Sequence, residues 1–153
     1  YTSSALCSWK WPVERWRNAG SATPVAALET VLWAAAGGDM ELLERSLSLS
    51  GDARVKAVQL LEQLPASLRG QFTSPEQMIA VLTAKDVPLG SARLIDSKLK
   101  NENEVALAAQ LVGTDKKTTY AYFSLRQEGE NWKLIVPVPV VEKYAARLKA
   151  PSP

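Results

Sequence analysis

The apolar residues of this chain of 153 residues change their period once, near Pro88, and that change limits the folds open to it. Before it they recur every three or four residues, as on a helix with one buried face. After it they alternate, as on a strand. Helices followed by a run of strands imply an α+β domain whose helices cover one face of an antiparallel sheet. The length suits a single core, and 46% hydrophobic with 22% charged residues supplies material for one.

Thr23-Pro24 starts the first firm helix, because Thr caps well and Pro is tolerated at the first helical position. Val25, Leu28, Val31, Leu32 and Ala35 then fall on one side, and Gly37-Gly38 ends the run. Asp39 caps a short second helix reaching Leu47. Ser50-Gly51-Asp52 opens a third, with Val55, Val58, Leu61 and Leu64 as its expected buried stripe and Pro65 as its stop. Ala66 to Phe72 adds a helical turn. Ser74-Pro75-Glu76-Gln77 starts a fourth helix burying Met78, Ile79, Val81 and Leu82, with Gln77 expected to reach back to the Ser74 N–H.

Four strands follow: Ser91 to Leu99, Glu104 to Val112, Thr118 to Arg126 and Trp132 to Val136. The separators, such as Gly113-Thr114-Asp115-Lys116, are polar and turn-rich, so the strands read as a meander. Val105, Leu107, Ala109 and Leu111 share one face. Pro139 can start a closing helix carrying Val141, Tyr144 and Leu148. The expected organisation is therefore a Trp-rich arm over 1–22, one domain over 23–149 and a loose tail over 150–153.

In the arm, Trp9, Trp11 and Trp16 are interleaved with Lys10, Arg15 and Arg17. Two readings stand side by side. The tryptophans pack onto the domain, or they form a contact surface for a partner or membrane, since Trp and Arg are favoured at interfaces. Pro12 prevents one continuous helix across the segment.

The pattern resembles the NTF2-like (SnoaL-like) cone fold. The likeness rests on Thr23-Pro24 with Ala26-Ala27-Leu28-Glu29-Thr30, Trp33-Ala34 and Gly38-Asp39, on the polar hairpins, and on Gly129 followed by Asn131-Trp132-Lys133-Leu134. Trp16-Arg17-Asn18-Ala19-Gly20 joined to Thr23-Pro24 is similar to a group of bacterial proteins carrying this domain, to which the likeness attaches no activity. It spans about Ala22 to Val136. The longer helical stretch between Asp39 and Lys85 and the closing helix depart from compact members. The resemblance implies N-terminal helices packed on a curved antiparallel sheet, with an extra C-terminal helix. It also implies pairing through the sheet as a homodimer.

That superfamily holds isomerases, dehydratases, epoxide hydrolases and polyketide cyclases beside non-catalytic binding domains, so the fold alone chooses nothing. Histidine is absent from the chain, which removes any imidazole base and the commonest metal ligand. With the single Cys7 and no histidine, no metal site and no cofactor is expected. Arg93 and Asp96 are expected on opposite faces of a regular strand, and no Gly-rich phosphate loop is present.

Four residues make up the candidate pocket: Glu29, Trp33, Tyr120 and Tyr122. Glu29 lies mid-helix, four residues before Trp33 on a shared face, next to the main stripe. It is either a pocket acid beside an aromatic wall or a border residue reaching solvent. Tyr120 and Tyr122 share one face of the third strand, lining a cavity or standing on the half-exposed outer side.

Net charge +2 with Lys and Arg interspersed among acids gives no field that would draw nucleic acid. No apolar run approaches the roughly 20 residues of a membrane span. The lone cysteine leaves the redox compartment open, cytoplasmic or extracytoplasmic. Starting at Tyr1, the chain reads as a fragment or processed form, so the absence of a targeting or anchoring segment from it means little. The functional expectation is a non-catalytic NTF2-like module binding a small apolar ligand or a protein partner. The alternative is an isomerase-, dehydratase- or cyclase-type enzyme using Glu29 and a tyrosine.

Overall fold

The computed structural model describes residues 10–12, 16–86 and 90–149. Its elements run β1 (Lys10–Pro12), α1 (Pro24–Gly37), α2 (Met40–Arg45), β2 (Leu47–Ser48), α3 (Gly51–Gln63), α4 (Ala66–Arg69) and α5 (Pro75–Asp86). Then come β3 (Ser91–Asn101), β4 (Glu104–Val112), β5 (Thr118–Glu128), β6 (Asn131–Ile135) and α6 (Val138–Lys149). This is the expected α+β arrangement: helices first, an antiparallel meander after them, and a closing helix.

Local chemistry sets the limits of α1. Thr23 is extended, and its Oγ1 accepts the Ala26 N–H at 3.1 Å. At the far end Gly38 takes φ 76°, the left-handed geometry that lets its N–H turn back to the Ala34 carbonyl. Between these caps the helix is buried almost all round, with Ala27 to Leu32, Ala34 and Ala35 out of water. It packs against β6, α2 and α5.

Three helical expectations change. First, α2 stops at Arg45, and Leu47 belongs to β2, which pairs in parallel with Leu134 of β6. The Ser46 hydroxyl donates to the Leu42 carbonyl at 2.7 Å, satisfying a helix end there. Second, α3 buries Ala53, Ala57, Leu60 and Leu64, while Val55 is 55% exposed. Two stripes at helical spacing coexist on this segment. Packing against α5 and α6 selects the one built on small residues, which permits close approach. Third, at the start of α5 Ser74 Oγ accepts the Gln77 N–H at 3.1 Å, but Gln77 reaches back to the Thr73 N–H and hydroxyl instead of the Ser74 N–H. Val81 is only half-buried, and Ala80 joins Met78, Ile79 and Leu82 inside.

The sheet has the order β1-β3-β4-β5-β6-β2, so the expected four-stranded meander gains a strand at each edge. Val105, Leu107, Ala109 and Leu111 of β4 all face the core, as their alternation requires. A bulge between Leu94 and Asp96 shifts the β3 register, so that Arg93 opposes Gln110 and Asp96 opposes Ala108. Gln110 and Ala108 lie on one face, so the bulge brings Arg93 and Asp96 to the same side, not to opposite ones. Beyond it β3 runs past the helical cover, and Leu99 is 69% exposed. Ahead of β3, Gly90 sits so close to β4 that an added Cβ would lie 2.9 Å from the Gly113 carbonyl carbon.

The described parts of the N-terminal segment, 10–12 and 16–22, are built into this body. β1 pairs antiparallel with β3, and Trp16 is 5% exposed within the core cluster. The Thr30 hydroxyl accepts from the Ala19 N–H at 3.0 Å and donates to the Gly20 carbonyl at 2.8 Å, and the Trp132 N–H donates to the Ser21 carbonyl. Of the two readings of the arm, packing holds for Trp16, which is removed from any partner surface. Trp9 lies outside the described residues, and Trp11 stands in β1 opposite Ala92. Trp16→Ala should therefore cost about 3–5 kcal/mol, the usual range for emptying a buried aromatic site. Urea denaturation followed by circular dichroism measures it, and a loss under about 1 kcal/mol would mean that residues 16–22 add little to the core.

Candidate functional site

The space between helices and sheet is filled. Leu28, Leu32, Leu43, Met78, Ile79, Leu94, Leu107 and Leu125 are all essentially without solvent contact and belong to one cluster. An apolar ligand inside the cone would have to displace this close-packed core.

The structure does not bring the four candidate pocket residues together. Glu29 is buried, 5% exposed, although the border reading would have it reach water. Its carboxylate is met by Arg17, with Nε 3.5 Å from Oε2, and the guanidinium side of the pair is largely solvated. An acidic side chain inside an apolar environment requires such a partner, and the segment before α1 supplies it. Trp33 is half-buried and packs on the core as an edge filler. Tyr120 and Tyr122 are 62% and 83% exposed. Their neighbours Thr119, Ala121 and Phe123 oppose the inward-facing Leu111, Ala109 and Leu107, so both tyrosines point away from the helices. A site combining Glu29 with a tyrosine is thereby taken apart: the sheet stands between them.

A cleft opens elsewhere, where the start of β6 meets α1 and α2. It has a volume of about 360 Å³. Ala27 and Thr30 of α1 and Leu42 of α2 form one wall, and Trp132 forms an aromatic side. The rim carries Arg45, Lys133, Asn131 and Ser21, with the Ser21 hydroxyl donating to Asn131 Oδ1 at 2.6 Å. Beside it, Glu128 accepts from the Ser48 hydroxyl at 2.5 Å through Oε2 and holds Lys133 Nζ at 3.7 Å through Oε1. Among the described residues that line the cleft there is no carboxylate; they offer cations, hydroxyls and an amide, suited to holding a ligand. A smaller cleft of about 270 Å³ lies between α3 and α6.

Sequence reasoning passed over Arg45, Asn131 and Lys133. Asn131-Trp132-Lys133-Leu134 reads as a strand start, and nothing in its spacing tells that the edge at Trp132, beyond the reach of β2, faces the end of α2. Among the described residues, no group of three or more His, Cys, Asp or Glu side chains could hold a metal ion, and no helix is long and apolar enough to cross a membrane.

The Glu29–Arg17 pair makes a structural test. Arg17→Ala leaves a buried carboxylate without its cation, whereas Glu29→Gln removes the charge and keeps the shape. Arg17→Ala should be the more damaging, by about 1–3 kcal/mol, with the double variant close to Glu29→Gln alone. Chemical denaturation of the three variants decides it, and equal losses for both single variants would show that the pair is not what holds Glu29 inside.

No protein-family model matches the chain, and no curated protein does. Among solved structures, 75% of this chain aligns with 99% of a Campylobacter jejuni chain whose name assigns it provisionally to the NTF2-like transpeptidases. The identity is 10% and the TM-score 0.46, a likeness too distant to speak to chemistry.

Proposed function

We propose that this chain is a non-catalytic binding module that pairs with a second copy of itself through the outer face of its sheet. The observation that carries this reading is the pairing of exposed Tyr120 and Tyr122 on β5 with Gln110 and Ala108 on β4. The tyrosines make a ridge. Ala108, with almost no side chain, opposes Tyr122 and begins a shallow trough that Ala106 continues opposite Ser124, while Gln110 stands beside Tyr120. A ridge next to a trough is self-complementary under a two-fold axis, the commonest symmetry of soluble dimers. Tyrosine is also suited to the task, offering large rigid area and a hydroxyl at small entropic cost.

The surrounding charges support the same partner. Asp96 and Lys98 occupy the same face of β3, so that face carries both signs. The filled interior and the separation of Glu29 from the tyrosines favour binding over the isomerase-, dehydratase- or cyclase-type alternative.

Sedimentation equilibrium tests the proposal. The purified chain should show twice its 16.7 kDa mass, and the double variant Tyr120→Lys, Tyr122→Lys should be monomeric. Because both side chains are exposed, the variant's own folding stability should stay within about 0.5 kcal/mol once dimer linkage is allowed for. A wild-type chain that remains monomeric at its highest soluble concentration, or a double variant that still dimerises, would defeat the reading.

A further inference from the structure

We infer that the cleft between α1, α2 and the start of β6 is a binding site for a small organic carboxylate with an apolar body. The inference does not depend on the sheet-face pairing, since the cleft residues and the outer tyrosines are different sets.

Size is the first argument. About 360 Å³ falls in the range of small-ligand pockets. It suits a guest of one ring and a short chain.

Charge is the second. Arg45 and Lys133 line the cleft, and its other described lining residues include no carboxylate. Arg45 stands in the last turn of α2 and has no acidic partner within 4 Å among the described residues. Its planar guanidinium is the donor best shaped for two carboxylate oxygens. Lys133 is only loosely held, 3.7 Å from Glu128, whose other oxygen is already engaged by Ser48. The guest carboxylate would therefore meet one free fork and one tethered cation, a balance that admits a single negative charge more readily than two.

The polar supports are the third. Asn131 uses its oxygen to accept from Ser21, which leaves its NH₂ group as a donor toward the rim. Nearby backbone donors are spent: the Trp132 N–H on Ser21 and the Leu134 N–H on Ser46. Recognition thus falls to side chains, and donors outnumber acceptors, as an anion requires. The remaining walls, Ala27, Leu42 and Trp132, offer apolar and aromatic contact to the body of the guest. A purely inorganic anion would leave these walls wet, and a neutral apolar compound would leave Arg45 and Lys133 unmatched.

The test uses the intact chain with 4-phenylbutyrate as probe, its amide and its amine as matched controls, and sodium sulfate as the inorganic anion. Amide chemical shifts in a two-dimensional NMR titration report position, and calorimetry reports affinity. The carboxylate should bind saturably with shifts at Asn131, Trp132 and Arg45, at least tenfold tighter than the amide, with the amine and sulfate weaker still. Arg45→Gln should lower the affinity at least tenfold, and Lys133→Met by less. Both side chains reach solvent, and an unchanged spectrum outside the cleft confirms that the variants fold. The tyrosine double variant should bind the probe as the wild type does, so the failure of one proposal is told apart from failure of the other. Equal binding of carboxylate and amide, shifts confined to other surfaces, or full affinity in Arg45→Gln would each overturn the inference.

Discussion

Burial of α1 on nearly every side is the constraint around which the other elements are arranged. Its side chains Leu28, Val31 and Leu32 lose essentially all contact with water, each worth about 1.5–3 kcal/mol of transfer free energy. A helix buried all round cannot leave polar groups unmatched, and α1 carries two, Glu29 and Thr30. Both are satisfied by the preceding segment: Arg17 meets the carboxylate, and Ala19 and Gly20 meet the hydroxyl. The 16–22 stretch is therefore fixed by the needs of the helix that follows it, and Trp16 enters the core as part of the same arrangement.

Strand β6 links this helical core to the sheet. It pairs antiparallel with β5 along one edge and in parallel with the two-residue β2 along the other. Only Leu134 and Ile135 have a β2 partner, so the first half of β6 is left open on that side apart from the Trp132 bond to Ser21. The cleft forms at this unfilled edge. Its cations reach it by two routes, one from the last turn of a helix that ends early at Arg45 and one from the strand itself. The cleft thus lies at the margin of the sheet, because the space between helices and sheet is occupied by packed aliphatic side chains.

Much of the fold was legible because its signals are local. Thr23-Pro24 and Gly38 bracket a helix by cap chemistry that needs no tertiary partner, and the alternation in Glu104 to Val112 assigns each residue a face. What local spacing misplaced or left open shares one cause. On α3 two apolar stripes compete, and only neighbouring helices choose between them. On β3 a bulge cancels the parity from which Arg93 and Asp96 were assigned to opposite faces. For Tyr120 and Tyr122, alternation states that they share a face but not which one, because Ala121 and Phe123 are apolar too.

The sequence by itself determined the α+β order, the caps, the hairpins and the absence of histidine chemistry, since each follows from residue type and near-neighbour spacing. Only the tertiary structure decided that Glu29 is buried against Arg17, that the tyrosines face outward, and that Arg45 and Lys133 border one cleft. Those facts join residues far apart in the chain or depend on which side of a sheet is covered. Periodicity along a chain carries no information about either.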